Sequence, residues 1–426
     1  MADVKPFKGI RYSAKKVADL SAAITQPYDK ISPAMQQAYY RKDPHSFVRL
    51  ILPQGQDPYA ESRRTLDQWL TDGTLARDER PAFYVIEQEF EIGGRGYRRR
   101  GFIGVVRVED FERGSVLAHE RTLSKPKADR LNMLRATEKD YEQIFLLYSD
   151  PEGVVDKTLA PAGKPLMVAT DDYGVCQRVW AITDPKKLVV VEKLMAGKTL
   201  LIADGHHRYE TALTYRKEQE AAGKVPTEAA VRFKTTAFIN IQDPGLVILP
   251  THRLLYGLPK LNWEDAWQRI NRWFTVYPVT DGLVARELQN SFWLNEHVFA
   301  LHAGKGRSWM LRLRNPKALD EFITDRSRDY KSLAVTVLHT LLIDKTFGVP
   351  AEKIEDHVAY ERNPETAMAR VDSGEFQLSL LLNPTRAHQV SDVAAHGERM
   401  PQKSTDFYPK LVSGLVFFDV AAAERV

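Results

Sequence analysis

The sequence predicts a mixed α+β protein, and three observations carry that reading. The first is the stretch Thr199-Leu200-Leu201-Ile202-Ala203-Asp204-Gly205-His206-His207-Arg208-Tyr209-Glu210. Its apolar start reads as a buried strand. Asp204-Gly205 makes a tight bend, because glycine tolerates positive φ. From His206 the pattern turns helical, with Tyr209, Ala212, Leu213 and Ala222 on or near one face among Glu210, Arg216, Lys217 and Glu218. The second is a hairpin, residues 83–92 and 97–108 around Gly93-Gly94-Arg95-Gly96. The third is the C-terminal alternation of helical segments (263–274, 331–347) with strand-like ones (275–279, 298–302, 309–313).

A chain of 426 residues has room for two or three domains. The expected division is 1–160, 161–260 and 261–426. A hydrophobic share of 43% and a charged share of 27% fit a globular chain. The net charge of +4 is too small over this length to imply nucleic acid. Cys176 is the single cysteine, which excludes a disulfide framework and a cysteine-based zinc site. The first residues, Met1-Ala2-Asp3-Val4-Lys5-Pro6, do not read as a signal peptide, and no apolar run reaches the ~20 residues of a membrane span. The expected location is the cytoplasm, with no membrane partner.

Taken in order, Gln26-Pro27-Tyr28-Asp29-Lys30-Ile31-Ser32-Pro33 reads as a turn into a helix at 34–41, with Ser32 as N-cap and Pro33 at the first helical position. Residues 46–53 read as a strand carrying Arg49 among apolar neighbours. Residues 59–77 form an amphipathic helix with Leu66, Trp69 and Leu70 on one side. His119-Glu120-Arg121-Thr122-Leu123-Ser124-Lys125-Pro126-Lys127-Ala128-Asp129-Arg130 has seven ionisable or histidine residues in twelve and precedes a helix at 129–141. Strands are expected at 144–148 and 177–182, and a helix at 185–197. Residues 234–241 and 246–250 read as paired strands joined by Gln242-Asp243-Pro244-Gly245, followed by Thr251-His252-Arg253. In the 331–347 helix, His339 reads as a packed or surface residue. Strands at 376–382 and 414–418 flank Met400-Pro401-Gln402-Lys403-Ser404-Thr405-Asp406-Phe407-Tyr408-Pro409-Lys410.

A strand, a glycine turn and a helix start form an anion site, where the first backbone N–H groups and the positive end of the helix dipole face the ligand. The anion expected here is a phosphoryl group. Gly205, His206 and Arg208 would cradle it, while Arg121, His252, Arg253 and Lys403 neutralise charge and Ser404 and Thr405 add contacts. Asp204, Glu120 and Asp29 are the carboxylates available as base or metal ligand, and His207 is a further catalytic candidate. The expected cofactor is Mg²⁺ on Asp204 and phosphate oxygens, since hard ions choose oxygen. Adjacent His206 and His207 would point apart on a helix and do not make a two-histidine metal pair. Neither Gly-x-x-x-x-Gly-Lys-Ser/Thr nor Gly-x-Gly-x-x-Gly occurs, which argues against a Walker or Rossmann nucleotide site.

Ala203-Asp204-Gly205-His206-His207-Arg208-Tyr209-Glu210-Thr211-Ala212 resembles the signature of a prokaryotic family known as domain of unknown function 1015. Gln26-Pro27-Tyr28-Asp29, His119-Glu120-Arg121-Thr122, Pro250-Thr251-His252-Arg253 and Met400-Pro401-Gln402-Lys403-Ser404-Thr405 follow the same pattern in matching order. The Asp-Gly-His-His-Arg core is also similar to the phosphate-binding turn of the ParB/sulfiredoxin-like superfamily, which includes free serine kinases. The resemblance implies a ParB/sulfiredoxin-like core with N- and C-terminal α+β elaborations. It further implies phosphoryl transfer from pyrophosphate or a nucleotide to free L-serine, giving O-phosphoserine, with 204–208 binding phosphate and metal. It does not fix the acceptor base, for which Glu120 or Asp29 is favoured. Sulfiredoxins carry a catalytic cysteine in this turn, which is absent here, and a ParB-type DNA-binding domain is not evident. The competing readings are a nucleotide-responsive ParB-like regulatory protein and a phosphohydrolase using the same site. A homodimer is left open.

Overall fold

The computed structural model describes residues 2–119, 125–223, 225–258, 261–294 and 296–426, with the side chains of Lys125 and Pro126 left out. These divide into two units. The N-terminal unit comprises residues 2–118, 125–247 and 407–426, and the C-terminal unit His119 and residues 248–406. The fold is α+β, as the sequence predicts.

Among its described residues the N-terminal unit builds a nine-stranded mixed sheet. Its strands are β1 (Val4–Lys5), β2 (Phe83–Ile92), β3 (Arg95–Arg107), β4 (Val116–Leu117), β5 (Ile144–Tyr148), β6 (Met167–Thr170), β7 (Cys176–Ile182), β8 (Leu200–Asp204) and β9 (Phe233–Asn240). The order is β4-β8-β5-β9-β3-β2-β7-β6, with β1 on β3. The predicted hairpin is β2–β3, in register from Tyr84 opposite Ile103 to Ile92 opposite Arg95. Helices Pro185–Ala196 and His206–Ala222 cover one sheet face through Leu188, Val191, Met195, Tyr209 and Ala212, packed with Ile144, Leu146, Leu200 and Ile202. A second cluster gathers Phe47, Leu50, Ile51, Leu66, Trp69, Met133, Tyr141 and Phe417.

The Ser32 cap forms as predicted, its hydroxyl accepting from Met35 N at 3.3 Å at the start of Pro33–Lys42. Several expectations are corrected. Residues 46–53 are not a strand: Val48–Ile51 is a single helical turn with Val48, Leu50 and Ile51 buried. Short apolar runs do not distinguish a strand from a buried helical turn by periodicity. Arg49 bonds the Tyr40 carbonyl at 3.1 Å and lies over the Tyr40 ring. The helix expected at 129–141 is Lys125–Thr137, because Glu138 takes a positive φ of 53° and Lys139–Asp140 then pairs with Phe418–Asp419. That pairing leaves a final strand of only Phe418–Asp419 in place of 414–418. β9 does not pair with 246–250, since β3 and β5 occupy both its edges. The turn between them exists and is held by Asp243, which accepts from Gly245 N at 2.8 Å.

The C-terminal unit has a six-stranded antiparallel sheet. Its strands are β10 (His252–Leu255), β11 (Phe274–Val279), β12 (Val298–His302), β13 (Ser308–Leu313), β14 (Val358–Glu361) and β15 (Leu378–Leu382), in the order β11-β13-β12-β15-β10-β14. The core gathers Leu254, Val284, Leu288, Ala300, Met310 and Leu381. The single helix expected at 331–347 is broken. Arg328–Lys331 and Ala334–Val337 are short α-turns, and Leu338–Asp344 is a π-helix. Its wide turn is marked by Lys345 N bonding Thr340 O and Phe347 N bonding Leu342 O, each at 3.0 Å. A wider turn lets Leu338, Leu341, Leu342 and Ile343 all be buried, more than one α-helical stripe accommodates.

Candidate active site

The site is built on a flaw in β8. Leu201 faces Leu147 and Ile202 faces Leu146, but Asp204 faces Phe145, so Ala203 is an extra residue in the strand. In a regular strand Asp204 would share the face of Leu200 and Ile202, which is core. The bulge takes it off that face and re-aims its carboxylate. Gly205 follows at φ 93° and caps the helix His206–Ala222. A Cβ there would lie 2.9 Å from Ile144 Cγ2 and 3.2 Å from Arg208 Nε, so glycine is required by both backbone and space. The first turn of such a helix has N–H groups without intrahelical acceptors. Tyr209 N bonds Gly205 O at 3.0 Å and resumes the ladder. Tyr209 anchors that helix: its hydroxyl donates to Glu109 O at 2.8 Å and its ring stacks on Phe111.

Two cations grip the Asp204 carboxylate. Arg208 Nη2 stands 3.3 Å from Oδ2 and Lys410 Nζ 3.6 Å from Oδ1. Burial pushes the carboxyl up, but Lys410, Arg208, Lys30 and His206 together outweigh it and hold it well below the carboxylate range. Arg208 is buried and also donates to the Gln143 carbonyl. Burial disfavours its charge, yet Asp204, Glu142 and Asp29 overcome this and raise it above its ordinary value. Burial lowers His207 from the usual imidazole value, opposed by Glu210 and assisted by Lys127, so the ring is disposed to be neutral. Lys127 and Glu210 form an ion pair.

Asp29 is exposed on the 3₁₀ turn Tyr28–Lys30. That turn is fixed by Glu142, which accepts from Tyr28 N at 2.9 Å and from Ser413 Oγ at 2.8 Å. The Arg130 guanidinium lies 4.4 Å from the Tyr28 ring centroid. Burial pushes the Tyr28 hydroxyl up to about 12, with Arg208 opposing, so it stays protonated at neutral pH.

The N-terminal unit therefore brings together Asp204, Gly205, His206, His207, Arg208 and Asp29. His252, Arg253, Lys403, Ser404 and Thr405 belong to the C-terminal unit. There Arg253, 1% exposed, donates to His339 Nε2 at 3.2 Å and to the carbonyls of Lys403 at 2.9 Å, Gln402 at 3.4 Å and Thr251. It thus ties β10 to the loop at 400–405. His252 is buried, with Nδ1 accepting from Leu382 N at 3.3 Å. Burial, then the Arg253 charge, pushes it down to about 3. Ser404 is buried and donates to Pro401 O, Thr405 Oγ1 lies 3.0 Å from His119 Nε2, and Lys403 is exposed at φ 55°. Glu120 and Arg121 lie outside the described residues.

The sequence reading left Lys410 and Glu142 out of the site. Both act through partners far along the chain, and no local pattern marks them. Among the described residues, no group of three His, Cys, Asp or Glu side chains could hold a metal ion. With two cations already on Asp204, that carboxylate alone makes a poor resident metal site. No helix among the described residues is long and apolar enough to cross a membrane.

No curated protein matches the sequence. Among solved structures the chain is similar to a free serine kinase in complex with AMP, at 12% identity and a TM-score of 0.36, over 73% of this chain and 90% of that one. It is also similar to SbnI from Staphylococcus aureus with a C-terminal truncation, at 11% identity and a TM-score of 0.34, over 74% and 86%. A third likeness is to a conserved hypothetical protein from Pyrococcus furiosus, at 11% identity and a TM-score of 0.34, over 72% and 92%. Likenesses at this level carry nothing about activity. Residues 4–338 match the family described as "Protein of unknown function (DUF1015)", and the chain belongs to that family.

Proposed function

We propose that the chain is a phosphotransferase that moves a phosphoryl group onto the hydroxyl of free L-serine, with pyrophosphate or a nucleotide as donor. The observation that supports it is the ionised Asp204 carboxylate between Arg208 and Lys410 at the start of a 17-residue helix. Helix-start amides, the buried Arg208 and the half-buried Lys410 would stabilise charge on transferring phosphoryl oxygens. In the transfer, a bond forms between the serine oxygen and phosphorus while the donor's bridging P–O bond breaks. The serine proton passes to a carboxylate, for which Asp29 is exposed beside the site and Glu120 remains the other candidate. Asp204 is the residue that would hold a Mg²⁺ brought in with the donor, and the ion would supply neutralisation of the charge that develops on the phosphoryl group.

Incubation with Mg²⁺, L-serine and pyrophosphate, ADP or ATP should yield O-phosphoserine. No product across that panel and a wider panel of hydroxyl acceptors overturns the proposal. Phosphate release that is indifferent to serine would identify a phosphohydrolase instead.

A further inference from the structure

Three arginines follow one another in β3, and their fates differ. Arg98 is exposed, and Arg100 is half-buried and paired with Glu87 at 2.6 Å. Arg99 is 1% exposed. Strand alternation turns it onto the sheet face that carries Tyr84, Ile86 and Ile103. Burial disfavours its charge, with Asp243 opposing from a distance, and among the described residues no carboxylate pairs with it. A buried guanidinium is expensive, and an aliphatic side chain would fill the same space without that cost.

What the guanidinium holds is backbone. Nη1 donates to Tyr408 O at 3.1 Å and Nη2 to Pro409 O at 2.6 Å. Nε donates to Gln88 Oε1 at 3.0 Å, and Nη2 also bonds that oxygen. Gln88 lies directly opposite Arg99 in the β2–β3 register and is itself 1% exposed. Its Nε2 donates to Lys410 O at 3.4 Å. The pair thus holds the carbonyls of three consecutive residues, 408, 409 and 410. The guanidinium lies 4.8 Å from the Phe145 ring centroid, and Phe145 is the residue that faces Asp204 at the β8 bulge. The segment held in this way carries Lys410, whose Nζ stands 3.6 Å from Asp204 Oδ1. Of the charges that lower that carboxyl, Lys410 is the strongest.

We infer that Arg99 is a positioning residue of the candidate site: with Gln88 it fixes the backbone of 408–410, and through that backbone the reach of Lys410 to Asp204. Arginine suits the task because its planar fork spans two successive carbonyls and Gln88 at once, where a lysine has a single head. The stem of Lys410 is flexible, so an anchored backbone is what limits where its ammonium stands. As a statement about catalysis this rests on the phosphotransfer reading, but the contact it sets can be measured without turnover.

The test is the titration of Asp204 in the full chain, read from the NMR signal of its carboxyl carbon between about pH 7 and pH 2 and assigned with Asp204→Asn. Arg99→Met keeps the volume and removes the hold on the carbonyls. It should raise the Asp204 midpoint by about one unit or more, the size of effect an opposite charge at this distance has. Lys410→Met should raise it as much, and adding Arg99→Met to Lys410→Met should raise it no further. Arg99→Lys, which keeps a charge and one donor head, should recover part of the shift. Thermal melting confirms folding of each variant. Should Arg99→Met fail to fold, Gln88→Glu carries the test. Its isosteric carboxylate gives the guanidinium a counter-ion and replaces the N–H that holds Lys410 O, so the midpoint should rise wherever Lys410 is present. An unchanged midpoint in either folded variant overturns the inference. So does a further rise on top of Lys410→Met, which would mean that Arg99 reaches Asp204 by another route. Where the wild type forms O-phosphoserine, turnover should fall in Arg99→Met and Lys410→Met alike. A wild type without transfer that still shows these shifts would sink the kinase reading and leave the role of Arg99 standing.

Discussion

Gly205→Ala tests the geometry of the turn directly. A left-handed conformation costs an L-residue about 1–2 kcal/mol. The new Cβ would also stand 2.9 Å from Ile144 Cγ2 and 3.2 Å from Arg208 Nε. Ile144 is fully buried in the sheet core and has little room to retreat, so overpacking adds about 1–3 kcal/mol. The expected total is about 2–5 kcal/mol, a large part of the margin that holds a domain folded. Gly174→Ala is the control: Gly174 has φ 78° and nothing within 4 Å of a Cβ, so only the backbone cost applies. Urea unfolding followed by circular dichroism should show the larger midpoint shift for Gly205→Ala. The excess over Gly174→Ala measures the contact with Ile144 and Arg208. Equal shifts for both would refute the claim that the turn is closed around this glycine. Any O-phosphoserine formation should also fall further in Gly205→Ala, since Arg208 is displaced.

Arg208→Lys keeps a charge but loses a donor arm, and should reduce transfer about 10²-fold or more in steady-state assays while costing only about 1–3 kcal/mol in denaturation, from the buried Gln143 carbonyl left without its donor. Lys234→Met should destabilise by about 3–5 kcal/mol in denaturation, because it strands buried Asp140; adding Asp140→Asn should recover part of this, since Asn still accepts from Thr235 N. His252 is held to about 3, so the unfolded chain binds the extra proton between about pH 6.5 and pH 3. Stability is then full above about 6.5 and falls by up to about 1.4 kcal/mol per pH unit as pH drops through that window; His252→Gln should flatten the slope in melts at pH 7 to 4. Asp204, held below the usual range, contributes stability that is present above about pH 4 and lost only on stronger acidification; acid titration of Asp204→Asn should lack that loss.

Wherever the signal is local, the sequence is legible. The β2–β3 hairpin rests on adjacent glycines, the Ser32 cap on the residues beside it, and the strand–turn–helix on an Asp-Gly pair whose glycine takes the positive φ the turn needs. The short runs were harder. At 46–53 and 331–347 apolar residues satisfy more than one periodicity, and packing decided for a helical turn and a π-helix. The bulge at Ala203 has no sequence signature, yet it determines where Asp204 points.

By itself, then, the sequence determined the α+β class, the family, and a strand that turns at a glycine into a helix start at 200–206. Those follow from dihedral preferences, hydrophobic period and a run of motif residues, all of which act over a few positions. Only the tertiary structure decided the long-range partners, those of the turn in the N-terminal unit and those of the His252-Arg253 pair in the C-terminal unit. Lys410 on Asp204, Glu142 between Tyr28 and Ser413, and Arg253 on the 400–405 loop join segments far apart in the chain. Charges pair through space, in a setting where burial makes each pairing count, and that proximity is written in the fold rather than in any stretch of residues.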